Sequence, residues 1–174
     1  VQSVILGEGG LLESMKSDSC IIVSATIKPS EIQAVAPALK EKGIKLIDSP
    51  VSGGKSGADN GTLTMMVAAR EKDLEDHRDV FNAVGKNIYH IGTEAGQGQT
   101  VKGALQAFIG TSFTAIFEAM VLGTKAGADP RKMYEVFCTS SAGSNLLKDC
   151  GELILQRKFE KTGSHIGTMY KDLG

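Results

Sequence analysis

Cysteine is scarce in this chain of 174 residues: Cys20, Cys138 and Cys150 are an odd number with no C-x-x-C spacing. That pattern argues against a disulfide framework and against a zinc site, and it fits a reducing compartment, read here as cytoplasmic with a eukaryotic organelle left open. Charge of one sign is also missing. Nineteen basic and twenty acidic residues give a net charge of −1, and neither sign is gathered into a block. This removes the electrostatic case for nucleic acid or an anionic membrane as partner. The three histidines, His77, His90 and His165, lack metal-ligand spacing and read as surface or packing residues. The most apolar patch, residues 104–122, is interrupted by Gln106, Thr111, Ser112, Thr114 and Glu118, more polar groups than a membrane span tolerates. No targeting peptide, internal repeat or low-complexity segment is evident. With no initiator Met at residue 1, the chain reads as starting mid-protein.

What the chain has is glycine in informative places. The run Asp48-Ser-Pro-Val-Ser-Gly-Gly-Lys-Ser-Gly-Ala-Asp-Asn-Gly, which continues to Val67, sets four glycines between two apolar segments. Glycine admits conformations that side chains forbid and lets another group approach the bare backbone.

The surrounding pattern alternates strand and helix, which predicts an α/β layer. Residues 20–25 form a short apolar run suited to a strand buried on both faces. Pro29 opens a helix that runs to Lys42, where Gly43 stops it, and Pro37 is expected to kink it or delay its start. Strands are expected at 44–47, 62–68 and 87–91, with a charged surface helix at 71–84. From Gly96 onward the pattern is helical: a long apolar helix over 97–126, a second starting at Asp129 or Pro130 with Asp as its cap, and others at 145–157 and from Ile166. The boundary is placed near 94, giving a partial nucleotide-binding α/β domain over 1–94 and a helical substrate or dimerisation domain over 95–174.

Two glycine motifs imitate nucleotide loops. Gly54-Lys55-Ser56 lacks the glycine five positions earlier that a phosphate loop needs, since Ser49 stands there. Gly96-Gln97-Gly98 lacks the third glycine of a dinucleotide fingerprint, and Glu118, at the offset of the acidic residue, falls inside a long helix. It reads as a helix start. Lys102 and Gln106 stand four apart on one face of that helix. A lysine on a largely apolar helix is partly desolvated and gives up its proton more readily, so spacing leaves it open as a functional group. Ser52-Gly53-Gly54 is equally open between a plain turn and a nest of backbone N–H groups for a carboxylate.

Three ordered motifs then carry a resemblance. The runs Asp48-Ser-Pro-Val-Ser-Gly-Gly with Gly61-Thr-Leu-Thr, Gly98-x-x-x-Lys102, and Lys171-Asp172-Leu173-Gly174 resemble those of the 3-hydroxyacid dehydrogenases of 3-hydroxyisobutyrate and tartronate semialdehyde metabolism, over nearly the whole chain. The resemblance implies the second half of a Rossmann-like nucleotide-binding domain followed by an all-helical domain, linked by a long helix. It implies Lys102 as catalytic acid/base, Ser52, Gly53 and Gly54 as holders of the substrate carboxylate, Gln106 as a further substrate contact, Thr26 and Lys171 as cofactor contacts, and NAD or NADP as cofactor. Family chains carry asparagine four residues after the lysine; Gln106 in its place looks like the L-threonate dehydrogenase branch, whose substrates are four-carbon sugar acids. The family's glycine-rich βαβ unit does not occur in this sequence, so the chain reads as part of a longer enzyme. A homodimer or tetramer through the helical domain is expected. A noncatalytic dimerisation or ligand-binding module is the alternative from another class, and reduction of an imine is a third.

Overall fold

The computed structural model describes residues 1–160, 162 and 166–173. His165 and Gly174, both named above, lie outside the described residues. The chain divides into two compact units, Val1–Ala104 and Leu105–Gly174.

The first unit opens with two short helices, α1 (Gln2–Leu6) and α2 (Leu11–Ser14), ahead of the first element expected from the sequence. Ile5 supplies the buried anchor of this segment. Strand β1 (Cys20–Val23) follows, then α3 (Pro29–Glu41), with Pro29 in its first turn and Gly43 beyond its end at φ 70°. Pro37 sits inside α3 without ending it. Strand β2 (Lys45–Asp48) pairs in parallel with β1, bringing Val23 opposite Asp48.

The glycine-rich run folds as a strand, a helix and a returning strand, which the sequence reading did not resolve. Strand β3 (Val51–Ser52) leads into helix α4 (Gly54–Asp59), and β4 (Leu63–Ala68) returns antiparallel beside them. Asp48 pairs with Ala68, Met66 N–H donates to Pro50 O, and Val51 and Ser52 pair with Met65 and Thr64. These pairs share one register, so β2 and β3 form a single antiparallel track along β4, interrupted only at Ser49 and Pro50. Proline has no N–H to give a ladder, so an interruption there is expected.

Helices α5 (Glu71–Asp76) and α6 (Arg78–Val84) replace the single helix expected over 71–84; the chain turns at His77, whose Nδ1 lies 2.8 Å from Asp73 O. Strand β5 (Gly85–Gly92) completes a mixed five-stranded sheet by pairing in parallel with β4.

Both sheet faces are covered, as the apolar composition of β1 suggests. Ile21 and Val23 point to a core with Ile5, Ile32, Val35, Leu39 and Ile44, whereas Cys20 and Ile22 pack toward the core of Ile47, Met65, Val67, Leu74 and Phe81. Strand alternation sends neighbouring side chains to opposite faces, so α3 covers one face and α5 with α6 the other. Burial pushes the Cys20 thiol up to about 11, with Asp73 adding to the effect; it behaves as a packing residue.

Helix α7 (Gln97–Lys125) begins in the first unit. In the second, α8 (Pro130–Thr139) starts under an Asp129 cap that accepts from Lys132 N–H at 2.8 Å, as its sequence predicts. Helices α9 (Asn145–Leu155) and α10 (Ile166–Leu173) follow. Tyr134 of α8 donates to Lys148 O, and its ring lies against Gly151, fixing α8 on α9.

By length and composition α7 would suffice to cross a membrane, so the polar interruptions in 104–122 do not by themselves exclude that reading. Its first turn is nevertheless locked into the sheet unit. A Cβ at Gly98 would meet Met66 O at 2.5 Å, Pro50 Cδ at 3.0 Å and Asp48 Oδ2 at 3.1 Å. Gly98→Ala gains helix propensity of about 1 kcal/mol, but overlap with a rigid backbone carbonyl costs about 1–3 kcal/mol. A net loss of up to about 2 kcal/mol is expected in urea unfolding, and a variant more stable than the native protein would refute this packing account.

Candidate functional site

Parallel strands β1 and β2 end together at Val23 and Asp48, and ligands of open α/β sheets gather beyond such carboxyl ends. The loop that leaves β1 carries Ser24, Ala25 and Thr26, with Ser24 and Ala25 exposed and Thr26 half-buried. The track that leaves β2 carries Ser52, Gly53 and Gly54. The first turns of α7 start at the same edge.

A buried polar network holds these parts. Asp48 is fully buried, and its Oδ2 accepts from the Gly96 and Gln99 backbone N–H groups at 2.9 and 3.2 Å. Asp48 Oδ1 accepts from Gln99 Nε2 at 2.9 Å. The first N–H groups of a helix have no partner within it, and a carboxylate there also meets the positive end of the helix dipole. Burial raises the Asp48 pKa above the ordinary carboxylate value, while hydrogen bonds from Gln99 and Gly96 oppose the rise. Of the Gly96-Gln97-Gly98 motif, Gly96 gives its amide to this carboxylate, Gln97 gives its own to Glu94 O at 3.2 Å, and Gly98 packs its bare backbone against the sheet, in accord with a plain helix start.

Gln99, itself 2 % exposed, extends the network to the β1 loop. Its Nε2 donates to Ala25 O at 3.0 Å and its Oε1 accepts from Ile27 N–H at 3.0 Å. One side-chain amide thus grips the backbone on both sides of Thr26. The sequence reading missed both Asp48 and Gln99. The available signal was an acid closing an apolar strand, and a glutamine three residues before the candidate lysine.

Lys102 lies one turn beyond Gln99 and is 6 % exposed. Gln99, Lys102 and Gln106 are all buried, and their i, i+3, i+7 spacing puts them on one stripe of α7. Gly53 and Gly54 have φ of 127° and 58°, a region that favours glycine. A Cβ on Gly53 would crowd Leu63 at 3.2 Å, so part of the glycine requirement is met by the chain's own packing; one on Gly54 would project into open space. Both glycines are exposed and Ser52 is half-buried.

In the second unit the structure brings two of the sequence motifs together. Gln106 Nε2 donates to Asp172 Oδ2 at 2.6 Å, and Lys171 Nζ lies 2.6 Å from Asp172 Oδ1 as a charge contact. The Lys171 side chain is 59 % exposed and the Asp172 side chain 6 %. Gln106 and the Lys171 motif are therefore coupled through Asp172. Of the described histidines, His77 packs as above, and His90 Nε2 lies 2.8 Å from Ala69 O. Among the described residues no cluster of His, Cys, Asp and Glu could hold a metal ion.

Comparison with known proteins decides the family. Residues 1–92 match the model of the NAD binding domain of 6-phosphogluconate dehydrogenase, and residues 96–174 match that of the NAD-binding domain of NADP-dependent 3-hydroxyisobutyrate dehydrogenase. The chain belongs to the 3-hydroxyacid dehydrogenase family. It is 36% identical to 2-(hydroxymethyl)glutarate dehydrogenase of Eubacterium barkeri, over 100% of this chain and 58% of that protein. It is 37% identical to a probable mitochondrial 3-hydroxyisobutyrate dehydrogenase of Dictyostelium discoideum, over 100% of this chain and 56% of that one. The crystal structure of 3-hydroxyisobutyrate dehydrogenase from Salmonella typhimurium superposes with a TM-score of 0.87 at 31% identity, covering 99% of this chain and 60% of that one. The chain thus spans less than two thirds of the length of these relatives. The mixed sheet followed by helices is the family architecture, as the motifs imply.

Asp172→Ala removes a charge-assisted hydrogen bond worth about 1.5–3 kcal/mol. The population with α10 opened should rise roughly tenfold or more, read as faster limited proteolysis within residues 166–173. An unchanged cleavage rate would show that Asp172 does not anchor α10.

Proposed function

We propose that the protein is a 3-hydroxyacid dehydrogenase, transferring a hydride between NAD or NADP and the hydroxyl-bearing carbon of a small hydroxy acid. One observation carries the reading: Lys102 of a family chain is buried on α7, one turn from the amide that grips the Thr26 loop. The residues fit the nicotinamide end of a dinucleotide, because Ser24 and Ala25 are exposed at the carboxyl end of a parallel strand and the backbone flanking Thr26 is fixed. When bound, the cofactor supplies the hydride chemistry, and the protein supplies orientation and a base.

The chain's own residues have these proposed roles. Ser52, Gly53 and Gly54 receive the substrate carboxylate; the open space beside Gly54 supports this. Lys102 Nζ takes the proton of the substrate hydroxyl during oxidation and returns it during reduction. Gln106 is a further substrate contact, oriented through Asp172, and Lys171, largely exposed, is a cofactor contact. The substrate is 3-hydroxyisobutyrate, 2-hydroxy-3-oxopropanoate or a four-carbon sugar acid such as L-threonate, with Gln106 favouring the last.

In the full-length protein, Lys102→Ala should lower kcat by about 10²–10⁴-fold with KM largely kept, as expected for loss of a proton-transfer group. The assay is reduced-nicotinamide formation from this panel of acids. Near-normal turnover would sink the assignment of Lys102, and a native protein that neither binds nor reduces a dinucleotide would favour the noncatalytic module.

A second copy of the chain is the proposed cover for the apolar side chains that α7 exposes, among them Phe108, Phe117, Val121 and Leu122. Analytical ultracentrifugation of the full-length protein should show a dimer or tetramer, and a monomer at micromolar concentration would refute this.

A further inference from the structure

We propose that Gln99 is a positioning residue that holds the Thr26 loop and Lys102 in fixed relation, and that Asp48 sets the direction of its amide. The inference rests on the dehydrogenase reading above and assigns roles to two residues that this reading leaves without one.

The geometry is specific. Gln99 Oε1 accepts from Ile27 N–H and its Nε2 donates to Ala25 O, both at 3.0 Å. These two backbone groups flank Thr26, so the side-chain amide pairs with the loop much as a neighbouring strand would. Three residues later on the same helix stands Lys102, and a helical turn is stiff on the scale of a reacting distance. A shift of the Thr26 loop against α7 would therefore change the distance between the nicotinamide end of the cofactor and the acid/base. Misplacement of about 1 Å at a reacting centre costs up to roughly 100-fold in rate.

Asp48 makes the grip one-way. A side-chain amide can turn about its last bond and exchange its oxygen and nitrogen, so hydrogen-bond partners decide its orientation. Asp48 meets N–H donors at both oxygens, among them the Gly96 and Gln99 backbone at Oδ2 and Gln99 Nε2 at Oδ1. Every one of its contacts is as acceptor, so Gln99 has to present Nε2 to it. That leaves Oε1 for Ile27 N–H. If Gln99 turned over, Nε2 would face an N–H and Oε1 would face the Ala25 carbonyl.

Two substitutions separate this role from simple packing. Gln99→Met keeps length and removes both loop bonds. Asp48→Asn keeps shape and retains an oxygen for the α7 backbone, but its new Nδ2 donor invites Gln99 to turn over. This keeps the 48–99 bond and breaks the bonds to Ala25 and Ile27.

The test uses the full-length enzyme, with hydroxy acid deuterated at the hydroxyl-bearing carbon. Each variant should lower kcat roughly 30- to 100-fold, with KM for the hydroxy acid held within about threefold. The primary isotope effect on kcat should rise as hydride transfer becomes limiting. A merely structural role would lower kcat only in step with the folded fraction, leaving the isotope effect unchanged, and that result would overturn the proposal. So would folded Gln99→Met and Asp48→Asn enzymes with native kcat beside an inactive Lys102→Ala. Native turnover in Lys102→Ala would instead overturn the site on which the proposal stands. Should Gln99→Met fail to fold, Asp48→Asn carries the test, because it leaves the 48–99 bond in place.

Discussion

The buried carboxylate of Asp48 is the constraint from which the first unit's organisation follows. It ends a strand, receives the first free amides of α7, and directs the amide of Gln99. An ionised group out of contact with water is tolerated only when its hydrogen-bonding capacity is used, and here donors reach both oxygens. A helix whose opening turn had no partner would leave N–H groups stranded against the sheet. Charge and helix end solve each other's problem, and the strand edge, the β1 loop and the lysine-bearing turn acquire a common reference point.

Lys102 gains meaning from that reference point. A lysine near the start of an apolar helix is ordinary, and the helix dipole mildly disfavours a cation there. Here it follows Gln99 on a buried stripe whose direction is fixed by the Asp48 network. Preorganisation of this kind is what the proposed hydride transfer would ask of the protein, since the reactive chemistry would reside in the cofactor.

Much of this was legible from the residues alone. The strand at Cys20, the helix opened by Pro29, the Asp129 cap and the long helix from Gln97 all follow from local chemistry, and their positions agree with the structure to within a residue or two. The three motifs gave the family because each is ordered and separately spaced. What stayed hidden depends on contacts distant in sequence. Asp48 and Gln99 are 51 positions apart, and nothing local distinguishes an acid that will meet a helix end from one that will meet water. Strand β3 was obscured because Pro50 and the glycines after it read as a turn, although Val51 and Ser52 keep the ladder running. The break at His77 was hidden for a related reason: the charged pattern of 71–84 suits one helix, and Leu74 and Phe81, seven residues apart, would share one face of it and reach the same core, so nothing local marks the turn at His77.

The single register shared by β2 and β3 along β4 has a further consequence. Asp48 and Ser52 are four residues apart on one extended track, so the sheet sets them about 13 Å apart at the usual rise per residue. The segment acts as a ruler between the helix clamp and the Ser52-Gly53-Gly54 turn. Side chains along it can change while the spacing survives. Adding or removing one residue between them would move every later side chain to the opposite face of the sheet, and its length is therefore under tighter constraint than its composition.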